Sequence, residues 1–241
     1  MAITRGVGPV YSVQIFSSTS GNVVLNGTTA GRMLVIGIAW QDESAEASIT
    51  SITINGETNA TLIAGSKAHT GSAGDHTQLA FHPNLTAGGN KTITVTFDQT
   101  VFATFGVMEY AGQDTTTQPD ASNNAVASAA DPTLSLTTVS ANALIVALVT
   151  TQGGEPTAGA GYTLLGTRPN NSFKDEDEDL LDAGAAGAKT VNFTVAFGLY
   201  ELSVASFKPA GGGGGRTTKN TRAWGLGMEL GMGIWMPPDL S

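Results

Sequence analysis

The sequence predicts an all-β protein: an antiparallel β-sandwich, of jelly-roll or immunoglobulin-like type, with an extended C-terminal tail. Three observations carry this. Only 13% of the 241 residues are charged, while Gly alone contributes 31 and Thr, Ser, Asn and Ala are abundant, which favours strands and tight turns over helices. No heptad or 3.6-residue apolar period runs through the chain, so amphipathic helices have no basis. In their place, short segments that alternate apolar and polar residues recur at regular spacing with turn residues between them.

Taken in order, residues 11–16 alternate and read as a first strand, with a second short one over 22–25. RMLVIGIAW, Arg32 to Trp40, is a nearly continuous apolar run bounded by Gly31 and by Asp42, Glu43 and Glu46; such a run suits a central strand covered on both faces. Ile49 to Ile54 alternates isoleucine with Ser and Thr and ends at Asn55-Gly56, a hairpin signal. Residues 62–63 and 78–81 are weaker strands around a polar loop. KTITVTF, Lys91 to Phe97, and VFATFGVMEY, Val101 to Tyr110, are expected to pair as a hairpin turned at residues 98–100. The Thr/Asn/Ala/Ser-rich stretch from Ala111 to Asp131 reads as a long surface crossing. Strands are then expected over 134–139, at ALIVALVT (143–150), and over 161–166, 190–195 and 199–207.

The two halves echo one another. RMLVIGIAWQ parallels NALIVALVTTQ; GNKTITVTF followed by FGVMEYAG parallels GAKTVNFTV followed by ELSVASFKPAG, in the same order. Either a half-sandwich has been duplicated, or two packed sheets produce similar strands by necessity. The expected organisation is a sandwich body over residues 1–208, a Gly-rich tether over 209–223, and a docking tail over 224–241.

The succession TTAGRMLVIGIAWQ, SITSITING, GGNKTITVTF, VMEYAGQDTTTQPD and ANALIVALVTTQ resembles a group of β-sandwich proteins common in bacteriophage and bacterial genomes, several of which look like virion decoration or tail components. The resemblance covers Gly31 to Phe207 and rests on strand spacing and EYAG-type strand ends. It implies the fold and a structural role, and it carries over no site residues.

Charge narrows the partners. Residues 1–208 hold 8 Lys/Arg against 18 Asp/Glu, a net −10, and the remainder holds 3 against 2. A body of that sign repels nucleic acid. With no cysteine there is no disulfide or thiolate metal site. MAITRGVGPVYSVQIF lacks a charged region followed by an apolar core and a cleavage site, so secretion by a classical signal is not expected. No run of 18 apolar residues predicts a membrane span.

His69, Asp75, His76 and His82 could hold a metal, but their spacing matches no ligand pattern, and AHTGSAGDHTQ reads as a polar loop with exposed histidines. Asp175 to Asp179, DEDED with Asp182 nearby, lacks the Gly and terminal Glu of an EF-hand and reads as a solvated like-charge loop. Glu109 and Glu201, near the ends of two corresponding strands, could in principle form a glycosidase acid–base pair; equivalent positions on a sheet rim explain them as well. No G-x-S-x-G elbow and no phosphate loop is present. No catalytic, metal or cofactor-binding residue is assigned.

The tail differs from all of this. In WGLGMELGMGIWM, Trp224, Leu226, Met228, Leu230, Met232 and Ile234 occupy every second position, with Gly225, Gly227, Glu229, Gly231 and Gly233 between them. An extended chain puts the six apolar groups on one face and leaves the other nearly bare. Trp235 and Met236 close the ribbon, and Gly211 to Gly215 tether it. Trp and Met suit interface cores, and a glycine face lets another backbone approach, as in strand addition. Arg216, Lys219 and Arg222 stand just before it and could steer it toward an acidic surface. The expected role is therefore a non-enzymatic structural protein of a virus particle, assembled in the host cytoplasm. The ribbon would dock on another copy (a homo-oligomer) or on other virion proteins, unless it folds back as a last strand on its own sandwich. An adhesion module binding a host-surface glycan is the alternative, and a glycosidase a third.

Overall fold

A computed structural model describes residues 1–12, 15–43, 45–70, 74–168 and 174–211. It is antiparallel β throughout, apart from one 3-10 turn at Ala64–Ser66. Strands β1 (Thr4–Arg5), β2 (Val10–Tyr11), β3 (Ile15–Thr28), β4 (Met33–Asp42), β5 (Ile49–Ile54), β6 (Thr61–Leu62), β7 (Ala68–His69), β8 (Asp75–His82) and β9 (Gly89–Ala111) form the first half. Strands β10 (Ala121–Ala129), β11 (Thr133–Thr138), β12 (Leu144–Thr151), β13 (Thr157–Ala158), β14 (Thr163–Thr167), β15 (Lys174–Leu180), β16 (Gly187–Thr194) and β17 (Gly198–Phe207) form the second.

The halves share one topology. In the second, a larger sheet runs β10-β17-β12-β15-β14 and a smaller one β11-β16-β13. The first reproduces both orders: β1-β9-β4-β8-β6 in the larger layer, and the beginning of β9 held between β3 and β5 in the smaller. Met33 opposite Tyr110 and Leu144 opposite Phe207 are corresponding pairs, so the echo seen in the sequence is one of strands in equivalent places. Each copy makes a whole sandwich rather than half of one. Leu34, Ile36, Ile38, Val95, Phe97 and Phe105 belong to the first core, and Ile145, Val149, Val191, Phe193, Leu202 and Val204 to the second.

Both large sheets are buried on their other face as well. Met33, Val35, Leu79, Phe81, Met108 and Tyr110 pack there against Leu144, Val146, Leu148, Ala205 and Phe207. Four β layers thus enclose three cores, and the two inner sheets are covered on both sides. This is why β4 and β12 read as unbroken apolar runs.

Three local expectations are corrected. The hairpin over residues 91–110 is a single 23-residue strand, β9. Ile93, Val95, Phe97, Val101, Ala103, Phe105 and Val107 all join the first core, so parity is kept through residues 98–100 and the strand bends around that core instead of reversing. The strand expected over residues 11–16 is not a single element: Tyr11 ends β2, residues 13–14 lie outside the described residues, and 15–16 begin the long β3, which also contains 22–25 and follows β9 from layer to layer. The surface crossing of residues 111–131 contains β10, an edge strand whose Ala121, Ala125, Ala127 and Ala129 pack against the second core.

Candidate functional site

The ribbon residues Trp224, Leu226, Met228, Leu230, Met232, Ile234, Trp235 and Met236, and the basic residues Arg216, Lys219 and Arg222, lie outside the described residues. The end of the body that carries them is well defined. After β17, Gln118 clamps Lys208: its Oε1 accepts from the Lys208 amide at 2.9 Å, and its Nε2 donates to the Lys208 carbonyl at 2.7 Å. Pro209 bridges to Gln113, and the Ala210 amide donates to the Gly112 carbonyl at 2.7 Å. The Met1 ammonium donates to the Ala210 carbonyl at 2.8 Å. The root of the tether is therefore fixed, beside a cavity of about 310 Å³ lined by Met1, Ala2, Ile3, Leu181, Pro209 and Gly211 among others. Among the described residues the exposed large apolar side chains are Met1, Val24, Val126, Val139, Leu164 and Phe197, scattered along the chain.

The acidic run is not a solvated loop. Asp175 to Asp179 form β15, and all five side chains are at most 1% exposed. The strand is inserted between β12 and β14, so its backbone is paired on both sides while its side chains alternate between two interiors. The three aspartates face the first sandwich, and each is answered. Asp175 accepts from the Thr104 and Thr150 hydroxyls, both at 2.8 Å. Asp177 takes Nε and Nη2 of Arg168, both at 2.9 Å, while Arg168 Nη1 donates to the Thr104 carbonyl at 3.1 Å. Asp179 is gripped by the Arg5 guanidinium and by the Tyr110 hydroxyl at 2.8 Å. A buried carboxylate is tolerable only with such partners.

Glycine makes the room. Gly37 and Gly106 are cross-strand partners on β4 and β9, and a Cβ on either would come within 3 Å of the Arg168–Asp177 pair. Tyr11 covers the pair from the side, its ring centre 5.7 Å from the Arg168 guanidinium carbon.

Glu109 and Glu201 are not equivalent positions and do not face one another. By register, Glu109 corresponds to Ser206 and Glu201 to Thr104. Glu109 lies on the face of β9 that carries Val107 of the first core, and it is fully used: Oε1 accepts from the Thr29 amide, and Oε2 from the Val7 amide and Arg32. Glu201 lies on the opposite kind of face, shared with Ser203 and turned between the sandwiches. It is 1% exposed, and no hydrogen bond of normal geometry reaches either oxygen. Burial pushes its carboxyl up to about 8, against a smaller opposing effect of Thr70. Asp75, on the same side, is raised to about 6, chiefly by burial and against its 3.3 Å bond from Gln152.

The histidines are not exposed loop residues either. His76 and His82 sit on β8 with 0% and 3% exposure, because β8 is the inner neighbour of β4. His82 Nε2 is 3.1 Å from the Thr58 hydroxyl, far along β8 from His76. His69 stacks on His76, whose Nε2 is 2.7 Å from Asp42.

Several of these residues carry no mark in the sequence. Arg5, Thr104 and the glycines of β4 and β9 become partners of β15 only when the two sandwiches meet, whereas Arg168 directly follows β14 and reaches Asp177 nine residues on. Burial also changes the surface charge. Ten of the body's 18 acidic side chains are inside, with Lys91 and Arg168, so eight acidic and six basic groups remain outside. The acidic target open to Arg216, Lys219 and Arg222 is correspondingly weaker than composition implies. Among the described residues no helix is long and apolar enough to cross a membrane. Comparison with protein families, with curated proteins and with solved structures gives no match.

Proposed function

We propose that the chain is a non-enzymatic structural protein of a large assembly, of the kind found as a head decoration or tail component of a virus particle, held to its neighbours by the C-terminal ribbon. One observation carries the reading: both copies of the sandwich are complete at Phe207, since β17 fills in the second the place that the end of β9 fills in the first. Neither copy's strand set calls on the ribbon. An apolar face of six large side chains left over from a finished fold needs a partner.

The magnitudes favour collective docking. Six buried side chains gain on the order of 10–15 kcal/mol gross. Ordering the 13 residues of the ribbon costs a comparable amount, at about 1 kcal/mol or more each. One ribbon is therefore marginal, and several engaged at once on a symmetric particle are not.

The test compares the full chain with a version ending at Gly211, by light scattering and co-sedimentation with particles. Loss of assembly by a truncated chain that keeps its melting temperature supports the reading. Unchanged assembly, or an unfolded truncated body, overturns it.

A further inference from the structure

The first sandwich contains a polar cluster that neither the fold nor the docking reading uses. Trp40, His76 and His69 occupy one cross-strand row on β4, β8 and β7. Cross-strand neighbours on one face lie roughly 5 Å apart, so the rings stack. Trp40 and His76 are 4.6 Å apart at 3°, and His76 and His69 are 4.2 Å apart at 16°. Asp42, two residues beyond Trp40 on the same face, completes the group. Its Oδ2 is 2.7 Å from His76 Nε2, and its Oδ1 accepts from the Ala47 amide at 3.0 Å.

This cluster is buried without being satisfied. Asp42 is 5% exposed and His76 is 0% exposed, while His69 lies half-buried at the rim. A neutral imidazole offers one N–H and one lone pair, and both are ordinarily used when the ring is inside. Here His76 Nδ1 and His69 Nε2 have no hydrogen-bond partner. One ligand atom from each of Asp42, His69 and His76 lies within 4.8 Å of the other two.

We propose that Asp42, His69 and His76 form a binding site for a divalent transition-metal cation of the zinc, cobalt or nickel class. Two imidazoles and one carboxylate are the donors such ions take, whereas magnesium and calcium favour oxygen alone. Three protein donors leave coordination positions for water or a further ligand. The supporting shell is present: the Ala47 amide fixes Asp42, and the Trp40 ring lies flat against His76. Lys67, whose ammonium is 5.9 Å from the Trp40 ring centre, is paired with Glu46 at 3.4 Å, which offsets its charge. Ring lone pairs lie in the ring plane, so stacked imidazoles do not aim at one point. Binding therefore requires His69 to turn out of the stack, and no hydrogen bond at its Nε2 opposes this.

The test uses the full chain, stripped with a chelator and titrated with Co²⁺ and then Zn²⁺. One cobalt per chain is expected, with visible ligand-field absorption that Zn²⁺ displaces and Mg²⁺ and Ca²⁺ do not. His69→Ala, at the half-exposed position, and Asp42→Asn are each expected to weaken cobalt binding roughly 10–100-fold. Melting temperature separates lost binding from lost fold: Zn²⁺ raises it in the wild type and leaves that of His69→Ala where it was. Absence of stoichiometric binding at micromolar metal overturns the site. So does cobalt binding that His69→Ala and Asp42→Asn leave unchanged.

Discussion

At the scale of the residue, buried carboxylates decide how stability depends on pH. Glu178 and Glu201 are both pushed up to about 8, first by burial. Each holds its proton more tightly in the folded than in the unfolded chain, so its contribution is most favourable below the ordinary value of 4.5 and is lost as pH rises through about 8. Glu57 has the opposite sign. Burial raises it, but Lys91 and the hydrogen bonds from Thr86 and Ala87 together bring it to about 2, so its contribution is lost as pH falls toward that value. Urea denaturation should therefore show highest stability near pH 5. The decline between pH 5 and 8.5 should include on the order of 2–4 kcal/mol from Glu201, a share that Glu201→Gln removes. Arg168→Met, which leaves Asp177 buried without its cation, should cost about 3–5 kcal/mol in the same assay. Arg168→Lys should not restore it, because both Asp177 oxygens are taken by a planar fork. Gly106→Ala places a methyl 2.8 Å from both Asp177 and Tyr11 and should cost about 1–3 kcal/mol.

At the scale of the element, strands were legible wherever local composition and tertiary burial agreed. RMLVIGIAW and ALIVALVT are apolar and central, and both were identified as such. β15 is an inner strand too but reads as a loop, because DEDED has no apolar residue and, Arg168 apart, the partners that make its burial tolerable are distant in sequence. Arg5 and Asp179 are 174 residues apart, and Thr104 and Asp175 are 71. β10 is faint in the sequence for a milder reason. Its inward positions do alternate, but they carry alanine, whose small side chain gives little signal. The histidines stand out in the sequence but their burial does not, since nothing near them announces Asp42, 34 residues before His76. The alternation of large apolar residues with glycine over 224–236 is plain in the sequence, but those residues lie outside the described ones. The unbroken course of β9 makes a prediction of its own. The Asp98 amide donates to the Ser48 carbonyl at 3.1 Å, so hydrogen exchange should find it as slow as the flanking core amides, where a hairpin turn would exchange fast.

At the scale of the whole molecule, the two sandwiches form one cooperative unit. The core between them contains 13 buried residues from both halves. Separating the halves would expose apolar surface worth roughly 20 kcal/mol, which exceeds the usual 5–15 kcal/mol stability of a domain. It would also leave Asp179 without Arg5. Calorimetry of the full chain should therefore show a single transition, and residues 1–115 expressed alone should aggregate or remain unfolded. The position of β17 has a mechanical consequence. It is paired along its length with β10 on one side and β12 on the other, and the tether continues from its C-terminal end. Ladder hydrogen bonds lie across the strand axis. A pull on the tether directed along β17 loads both ladders in shear, all bonds together, whereas a peeling force breaks them one after another. Under the docking proposal, tension carried by the tail would meet the body at a strand paired on both sides.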